Sequence, residues 1–232
     1  MAELTRKEFL MALISAGDRP RLSGLDLTEL DLGEIDLRGA NLRNTKLGRA
    51  DLSMTDFSEA TLAGAVMIGA NLNRAKLIRA DLTEADLTGA NLKEAVLTAC
   101  TLVGANLTNA QLTFAKLSEV IANSAYLRGA NCNGANLTFA KFSGCDFTSA
   151  NLSGADLSGS DLRHSDFRGA DLSYANLSNA DLSQTLIEGV NFTGANLRGV
   201  FHSNVVLADA ILEGAILPDG TRYGEEPVTT IR

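Results

Sequence analysis

Two histidines and three cysteines are the residues that could carry nucleophilic, redox or metal chemistry in this 232-residue chain. A catalytic histidine needs a nucleophile within reach, and neither His164 nor His202 has a serine or cysteine partner at a defined spacing. Cys100, Cys132 and Cys145 form an odd, widely spaced set that suits neither a disulfide framework nor a zinc site. The sequence therefore predicts no catalytic residues, no cofactor and no metal. We interpret the cysteines as buried free thiols in a reducing compartment.

The many aspartates could be mistaken for general acid–base pairs. They recur at a regular interval, as at Asp156, Asp161 and Asp166, each just before a large apolar residue. Side chains in such a row can bond nearby backbone groups, which explains them without catalysis. The chain also lacks the G-x-x-x-x-G-K-[ST] phosphate-binding motif. These observations favour a protein that is not an enzyme.

A five-residue repeat organises almost the whole chain. Residues 155–183 show it most clearly: a small residue, Asp or Asn, Leu or Phe, then two polar residues. We call the large apolar residue the centre, and it recurs at every fifth position from Leu22 to Leu217. Of these 40 centres, 37 are Leu, Phe, Met or Ile, and the residue two before is usually alanine. No helix or ordinary strand has a period of five, so this repeat needs its own geometry.

The repeat predicts short strands that alternate with turns. The small residue and the centre are separated by one position, so they point to the same side of a strand. The residue two after the centre is often glycine, as at Gly154 and Gly169, and a type II turn needs positive φ there. We expect another turn type where glutamate takes this position, as at Glu29 and Glu84.

Four strand-and-turn units make a square coil of 20 residues, so 40 units make about ten coils. Because parallel crossovers are right-handed, the coil is expected to be right-handed as well. The sequence thus predicts an all-β fold, a right-handed quadrilateral parallel β-helix. Centres and small residues fill its narrow interior, and three of every five residues face outward.

The N-terminal segment differs from the repeats. Thr5 and Glu8 form a T-x-x-E capping box, and apolar residues follow at helical spacing. They predict an α-helix from about Thr5 to Ala16. The apolar run could also imitate a signal peptide, but the flanking glutamates favour a retained helix.

The predicted domain organisation has three parts: an N-terminal capping helix in 1–19, the β-helix in 20–219 and a polar C-terminal tail in 220–232. Terminal units of repeat proteins need a cover, and this is the role we expect for the helix. A partner-binding amphipathic helix is the alternative.

The motif A-[DN]-L-x-x, as in Ala40-Asn41-Leu42, Ala80-Asp81-Leu82, Ala90-Asn91-Leu92 and Ala170-Asp171-Leu172, resembles that of the pentapeptide-repeat family. The resemblance covers residues 20 to about 217. It implies the same right-handed quadrilateral β-helix that the geometry predicts. Among family members, the chain is most similar to long, loop-free cyanobacterial-type proteins, including one of heterocyst differentiation.

Composition narrows the possible partners. The formal net charge is −8, which argues against direct nucleic-acid binding. No apolar run approaches the roughly 20 residues of a membrane span. We therefore expect a cytoplasmic protein that does not contact membranes. It is expected to be a monomer.

Two positions interrupt the apolar centres of one column. Ala122 is small, and either its neighbours Val120 and Phe142 refill the volume or a local bulge turns Ile121 outward. His202 places an imidazole near the C-terminal end, where we expect a hydrogen bond or a frayed last coil.

Outward-pointing apolar residues gather in the middle coils, with basic residues among them. Exposed aromatics beside arginine are typical of the centres of protein interfaces, although scattered apolar surface is also ordinary. The candidate protein interface consists of Ile78, Val96, Val103, Phe114, Ile121, Tyr126, Arg128 and Phe139.

Two functions follow as hypotheses. The first is a regulatory adaptor; the resemblance implies as partner the heterocyst transcription regulator HetR, relieved of inhibition by a peptide signal. The second is a DNA mimic that protects gyrase, as in other family members. The net charge of this chain, −8, is low for a DNA mimic, because duplex DNA carries about one negative charge per 1.7 Å. End-to-end stacking of the solenoid is a third possibility, which the helix is expected to prevent.

Overall fold

The computed structural model describes residues 5–16, 19–205 and 207–224. It contains one α-helix, α1 (Arg6–Ala16), one short 3-10 helix (Leu207–Asp209), and a long series of parallel β-bridges. Each parallel bridge joins residues 20 apart, beginning with Arg21 and Asn41 and ending with Asn196 and Ile216. The chain is therefore a β-helix whose strands are each a single bridged position.

Backbone hydrogen bonds join each coil to the next. The Leu22 amide donates to the Asn41 carbonyl at 2.8 Å, and the Asn41 amide donates to the Pro20 carbonyl at 2.9 Å. Four such bridge positions occur in each 20-residue coil, so the coil has four walls. The first wall holds the centre Leu22 and every twentieth residue after it. The second, third and fourth walls start in the same way at Leu27, Leu32 and Leu37.

Centres and small residues form one continuous core. Nearly all of them from Leu27 to Leu197 are buried. Centres of one wall stack on each other: the rings of Phe147 and Phe167 are parallel, with centroids 4.7 Å apart. Leu25 is an exception to the predicted interior because it is 41% exposed. It lies in the first coil, which has no coil before it.

Hydroxyl residues replace alanine at some small positions without leaving a polar group unpaired. Thr55 Oγ1 donates to the Leu32 carbonyl at 2.6 Å, and Ser165 Oγ donates to the Phe142 carbonyl at 2.7 Å. No buried side-chain nitrogen or oxygen in the described part of the chain lacks a partner. Burying these hydroxyls therefore avoids the cost of an unsatisfied donor.

The turns correct one expectation from the sequence. Glycine at the third turn position has positive φ as predicted, for example 65° at Gly154. Glutamate was expected to change the turn type, and this is wrong: φ is 61° at Glu29 and 56° at Glu84. The left-handed conformation costs a non-glycine residue about 1–2 kcal/mol. The amide of that residue also bonds the next coil, as from Glu29 to Gly48 at 2.9 Å, which holds the conformation.

The aspartates and asparagines before the centres make the local bonds that the sequence predicts. Asp156 Oδ1 accepts from the Ser158 amide at 3.0 Å, two residues on. Some also bond the same position of the next coil, as when Asn176 Nδ2 donates to Asp156 Oδ1 at 3.1 Å. These side chains therefore stabilise the turns and link neighbouring coils.

Helix α1 begins as predicted. The Thr5 amide donates to Glu8 Oε2 at 2.9 Å, and the Glu8 amide donates to Thr5 Oγ1 at 3.3 Å, which is the reciprocal capping box. Phe9 is buried in the same cluster as the first coil, and Leu10 and Leu13 pack beside it. The helix thus packs on the N-terminal end of the solenoid.

The C-terminal end is less regular. The 3-10 helix occupies the second wall of the last coil, and the chain then reverses, so that Arg222 forms an antiparallel bridge with Ile216. His202 is only half-buried, which agrees with a frayed last coil. Residues 225–232 of the predicted tail lie outside the described residues.

The small centre Ala122 does not interrupt the ladder. The Ile121 amide donates to the Cys100 carbonyl at 3.0 Å, and the Ala122 amide donates to the Lys141 carbonyl at 2.8 Å. Ala122, Val120 and Phe142 are all fully buried. Compensated packing therefore describes this position, and the alternative of a bulge is wrong.

Candidate protein-binding surface

The eight residues of the predicted interface lie on three of the four walls. The bridge register places Ile78 and Val96 on the fourth wall, Val103 and Ile121 on the first, and Tyr126 and Arg128 on the second. Phe114 lies at the corner between the third and fourth walls, and Phe139 at the corner between the fourth and first. Six of the eight thus lie on two adjacent walls or their corners, and Tyr126 and Arg128 lie apart from these six.

Exposure separates these residues further. Phe114 and Phe139 are 57% and 67% exposed, and Tyr126 is 54% exposed. Ile78, Val96 and Val103 are half-buried, because neighbouring coils cover part of each side chain. The two phenylalanines therefore offer the largest apolar areas on the six-residue side of the solenoid.

Each exposed corner aromatic lies against a glycine of the next coil. A Cβ built on Gly134 would meet the Phe114 ring at 2.5 Å, and one on Gly159 would meet the Phe139 ring at 2.6 Å. Tyr174 covers Gly194 in the same way. Each ring therefore contacts the next coil on one side, while more than half of each side chain stays exposed. The sequence signal is an aromatic residue two after a centre with glycine 20 residues later.

Basic and apolar residues alternate in one column of the fourth wall. Val96 forms bridges with Lys76 on one side and Lys116 on the other. At the spacing of bridged strands, the three residues span about 10 Å. We define the fourth-wall patch as this column together with the neighbouring wall and corner residues. It consists of Lys76, Ile78, Arg79, Val96, Phe114, Lys116 and Phe139.

Several cations in this region have no carboxylate partner. Lys76 lies 3.7 Å from Asp56, but Arg79 and Lys116 form no salt bridge within the described residues. Basic residues of the first coils are instead paired, as Arg38 with Asp36 at 2.6 Å. The unpaired charges of the fourth-wall patch are therefore available to a partner. The predicted interface included only Arg128 among the basic residues of the middle coils.

The last coil exposes two apolar residues on opposite walls, and the candidate interface includes neither of them. Phe201 is exposed at a bridge position of the first wall, and Ile211 is exposed at a bridge position of the third wall, where most coils have aspartate or asparagine. A hollow of about 460 Å³ at the C-terminal end of the solenoid is lined in part by His202, Leu207 and Tyr223. The replacement of the polar residue before the centre was the available signal.

The three thiols lie in the interior. All three are buried and free, and burial raises the pKa of Cys132 and Cys145 to about 12 and that of Cys100 further. The Cys145 thiol donates to the Ala122 carbonyl at 3.0 Å. Among the described residues, no cluster of His, Cys, Asp and Glu could hold a metal ion.

These features define a β-solenoid of five-residue units with a partly basic, partly aromatic side. The family model for pentapeptide repeats matches eight copies, over residues 21–58, 55–93, 90–129, 113–154, 150–189 and 187–219. The chain therefore belongs to the pentapeptide-repeat family.

Two solved structures place the chain within that family. HetL, a pentapeptide-repeat protein involved in heterocyst differentiation regulation from the cyanobacterium Nostoc sp. strain PCC 7120, is 35% identical, with a TM-score of 0.84. The match covers 95% of this chain and 100% of HetL. QnrB1, a plasmid-mediated fluoroquinolone resistance protein, is 21% identical over 86% of this chain and 92% of its own, with a TM-score of 0.51. None of the curated proteins matches the chain.

The likeness to HetL agrees with the predicted resemblance to a heterocyst-differentiation protein, whereas the likeness to QnrB1 shows the fold alone. Within the part of the chain that the structure describes, no helix is long and apolar enough to cross a membrane.

Proposed function

We propose that the chain is a non-enzymatic regulatory adaptor that binds a protein partner along one side of its solenoid. The observation that carries this proposal is the likeness to HetL, 35% identical over 95% of the chain. HetL is involved in the regulation of heterocyst differentiation, so the partner we propose is the regulator HetR. In this role the chain engages HetR and relieves its inhibition by a peptide signal. It acts as a cytoplasmic monomer.

A rigid scaffold supports this role. Every coil from Arg21 to Asn196 is bonded to a neighbouring coil, so the outer side chains project from a fixed backbone. Binding to such a preorganised surface loses little conformational entropy. We also propose that the solenoid has the right hand and about ten coils expected from its repeats.

Displacement of the inhibitory peptide tests the proposal. A fluorescent inhibitory peptide is bound to purified HetR, and the chain is titrated while fluorescence anisotropy is measured. We expect binding of the chain to HetR and a fall in anisotropy as the labelled peptide is released. The proposal is wrong if HetR neither binds the chain nor loses the peptide at micromolar concentrations. QnrB1 at equal concentration provides a control of the same fold.

The alternative is a DNA mimic that protects gyrase, which has less support. A mimic needs a continuous acidic surface, but unpaired cations such as Arg79 and Lys116 interrupt it. A gyrase supercoiling assay with a quinolone separates the two functions. Protection by this chain at micromolar concentration would favour the alternative.

A further inference from the structure

The charge distribution along the solenoid singles out the middle coils. The whole chain has a net charge of −8, but residues 74–141 contain seven basic and five acidic residues. Five of those seven form no salt bridge within the described residues: Arg79, Lys93, Lys116, Arg128 and Lys141. The middle coils are therefore a basic island on an acidic protein.

These cations adjoin exposed apolar side chains on the first wall, where Lys141 bridges Ile121, and on the fourth wall, which has the aromatics Phe114 and Phe139 at its two corners. Lys116 bridges Val96, and it follows Phe114 by two residues in the chain. Arg79 occupies the same corner column as Phe139, three coils earlier. Lys93 lies on the third wall, where it is exposed and its own bridge column carries asparagine and glutamine. Charge and apolar surface therefore coincide at the fourth-wall patch.

We propose that the fourth-wall patch binds a protein segment in which acidic side chains flank an apolar side chain. The inference rests on the proposed function, since it assumes that the partner is a protein. Carboxylates of the segment pair with Lys76, Arg79 and Lys116, and its apolar side chain packs on Val96 between the two aromatic corners. Opposite charges at a surface of this kind speed association and select the partner.

Nucleic acid is the other class of ligand that basic and aromatic residues can bind. The acidic coils on both sides of the patch disfavour it, because an extended phosphate backbone would run over Asp36 and Asp56 or over Asp156 in the same column. A short acidic segment of a protein fits between those aspartates. The observations thus favour the protein segment.

Binding of synthetic peptides tests the inference directly. One labelled peptide carries glutamates on both sides of leucine, and its counterpart carries glutamine in their place. We expect the acidic peptide to bind the full chain at least about tenfold more tightly than the glutamine peptide, with an affinity that falls as salt rises. Equal affinity for the two peptides, no binding of either, or tighter binding of single-stranded oligothymidine would overturn the inference.

Matched variants locate the site. Arg79→Glu with Lys116→Glu is expected to weaken binding of the acidic peptide by about tenfold or more, whereas Lys93→Glu with Arg128→Glu makes the same charge change on other walls and is expected to have little effect. Phe114→Ser is expected to weaken binding, and Tyr174→Ser removes an equivalent aromatic from a glycine of the same corner, away from the patch. If the control variants lose as much peptide affinity as the patch variants, the fourth-wall patch is not the binding site.

The same variants titrated with HetR separate this inference from the proposed function. Binding of HetR that is indifferent to Arg79→Glu, Lys116→Glu and Phe114→Ser supports the adaptor function and overturns the patch. Binding of the acidic peptide that these variants weaken, with no binding of HetR, supports the patch and contradicts HetR as partner.

Discussion

Residues 74–141 and residues 142–200 share one backbone and carry different surfaces. The first region has seven basic and five acidic residues, and the second has three basic and seven acidic. The first exposes Phe114, Ile121, Tyr126 and Phe139, whereas the second exposes only Tyr174 and Leu186 among the described large apolar residues. Because bridges and turns are the same in both, the outer residues vary without changing the fold. The proposed binding surface thus consists of outer residues that depart from the repeat.

The pairing of charges also differs between the two regions. Arg168 forms two short bonds with Asp166, two residues earlier, at 2.9 and 2.6 Å. Arg163 pairs with Asp161 in the same way. In the middle region Arg79 and Lys116 form no such pair within the described residues. Within the described residues, two of the three basic side chains of the later region are therefore paired, whereas five of the seven in the middle region form no salt bridge.

The largest expected effect concerns the buried thiols, of which Cys100 and Cys132 lie in the middle region and Cys145 just after it. Burial holds the pKa of Cys132 and Cys145 at about 12, while an unfolded chain has a thiol pKa of about 8.5. Below about pH 8.5 the thiols keep their protons in both the folded and the unfolded chain, so they do not make the free energy of unfolding depend on pH. Between about 8.5 and 12 only the unfolded chain loses the proton, so stability falls as pH rises. The expected loss is about 1.4 kcal/mol per pH unit for each thiol.

Urea denaturation at a series of pH values measures this slope. The matched variant combines Cys100→Ala, Cys132→Leu and Cys145→Ala, which restore the usual residue at each position. Its free energy of unfolding is expected to decline less steeply above about pH 9, by up to about 4 kcal/mol per pH unit for the three thiols. Identical slopes in the two proteins would contradict the burial of the thiols.

The next largest effect on stability is expected from substitutions at Ala122, where the middle region departs from the regular core. Ala122→Leu adds volume below Phe142 and is expected to cost about 1–3 kcal/mol. Phe142→Leu removes volume and is expected to cost about 1–2 kcal/mol. The double variant restores leucine in both positions, as in the later region, and is expected to be more stable than the sum of the two losses predicts by at least about 1 kcal/mol.

Chemical denaturation of the four proteins in this cycle gives the coupling energy. Leu152→Ala with Leu197→Ala, in the later region, on different walls and two coils apart, provides a control pair. Those two losses are expected to add. Additive losses for Ala122 and Phe142 would show that their side chains do not compensate each other.

The repeat could be predicted from the sequence because it has a simple physical cause. A centre and a small residue every five positions leave only the alternation of a short strand and a turn, and the 20-residue register between Arg21 and Asn41 follows from four units per coil. The capping box of Thr5 and Glu8 was equally local and is confirmed. Local rules were sufficient wherever neighbours in sequence are neighbours in space.

Contacts between coils were harder to predict. The sequence gives no sign that the hydrogen bond from the Glu29 amide to Gly48 can hold glutamate in the left-handed conformation. The packing of Phe114 on Gly134 also joins residues 20 apart. The candidate interface was chosen from outward-pointing apolar residues and one arginine of the middle coils, and so it combined residues of separate walls and did not include Arg79 and Lys116. These features required the register between coils.

A smaller effect on stability is expected where aromatic rings pack on glycine. Gly134→Ala and Gly154→Ala both place alanine at positive φ in one corner column, which costs about 1 kcal/mol. Gly134→Ala also meets the Phe114 ring at 2.5 Å, whereas nothing lies near a Cβ at position 154. We expect Gly134→Ala to displace the ring, to lose slightly more stability and to weaken partner binding. Equal behaviour of the two variants in denaturation and binding would remove Phe114 from the proposed surface.

The smallest effect on stability is expected from removing single basic side chains. Arg168→Gln breaks an exposed pair with Asp166 and is expected to cost up to about 1 kcal/mol, because such pairs gain little in water. Lys116→Gln breaks no salt bridge within the described residues and is expected to leave the free energy of unfolding unchanged within about 0.5 kcal/mol. Denaturation measures both, and partner binding is expected to respond in the opposite order, with Lys116→Gln the weaker binder. A large loss of stability in Lys116→Gln would mean that the lysine serves the fold, and the contrast between the two regions would then be one of structure and not of recognition.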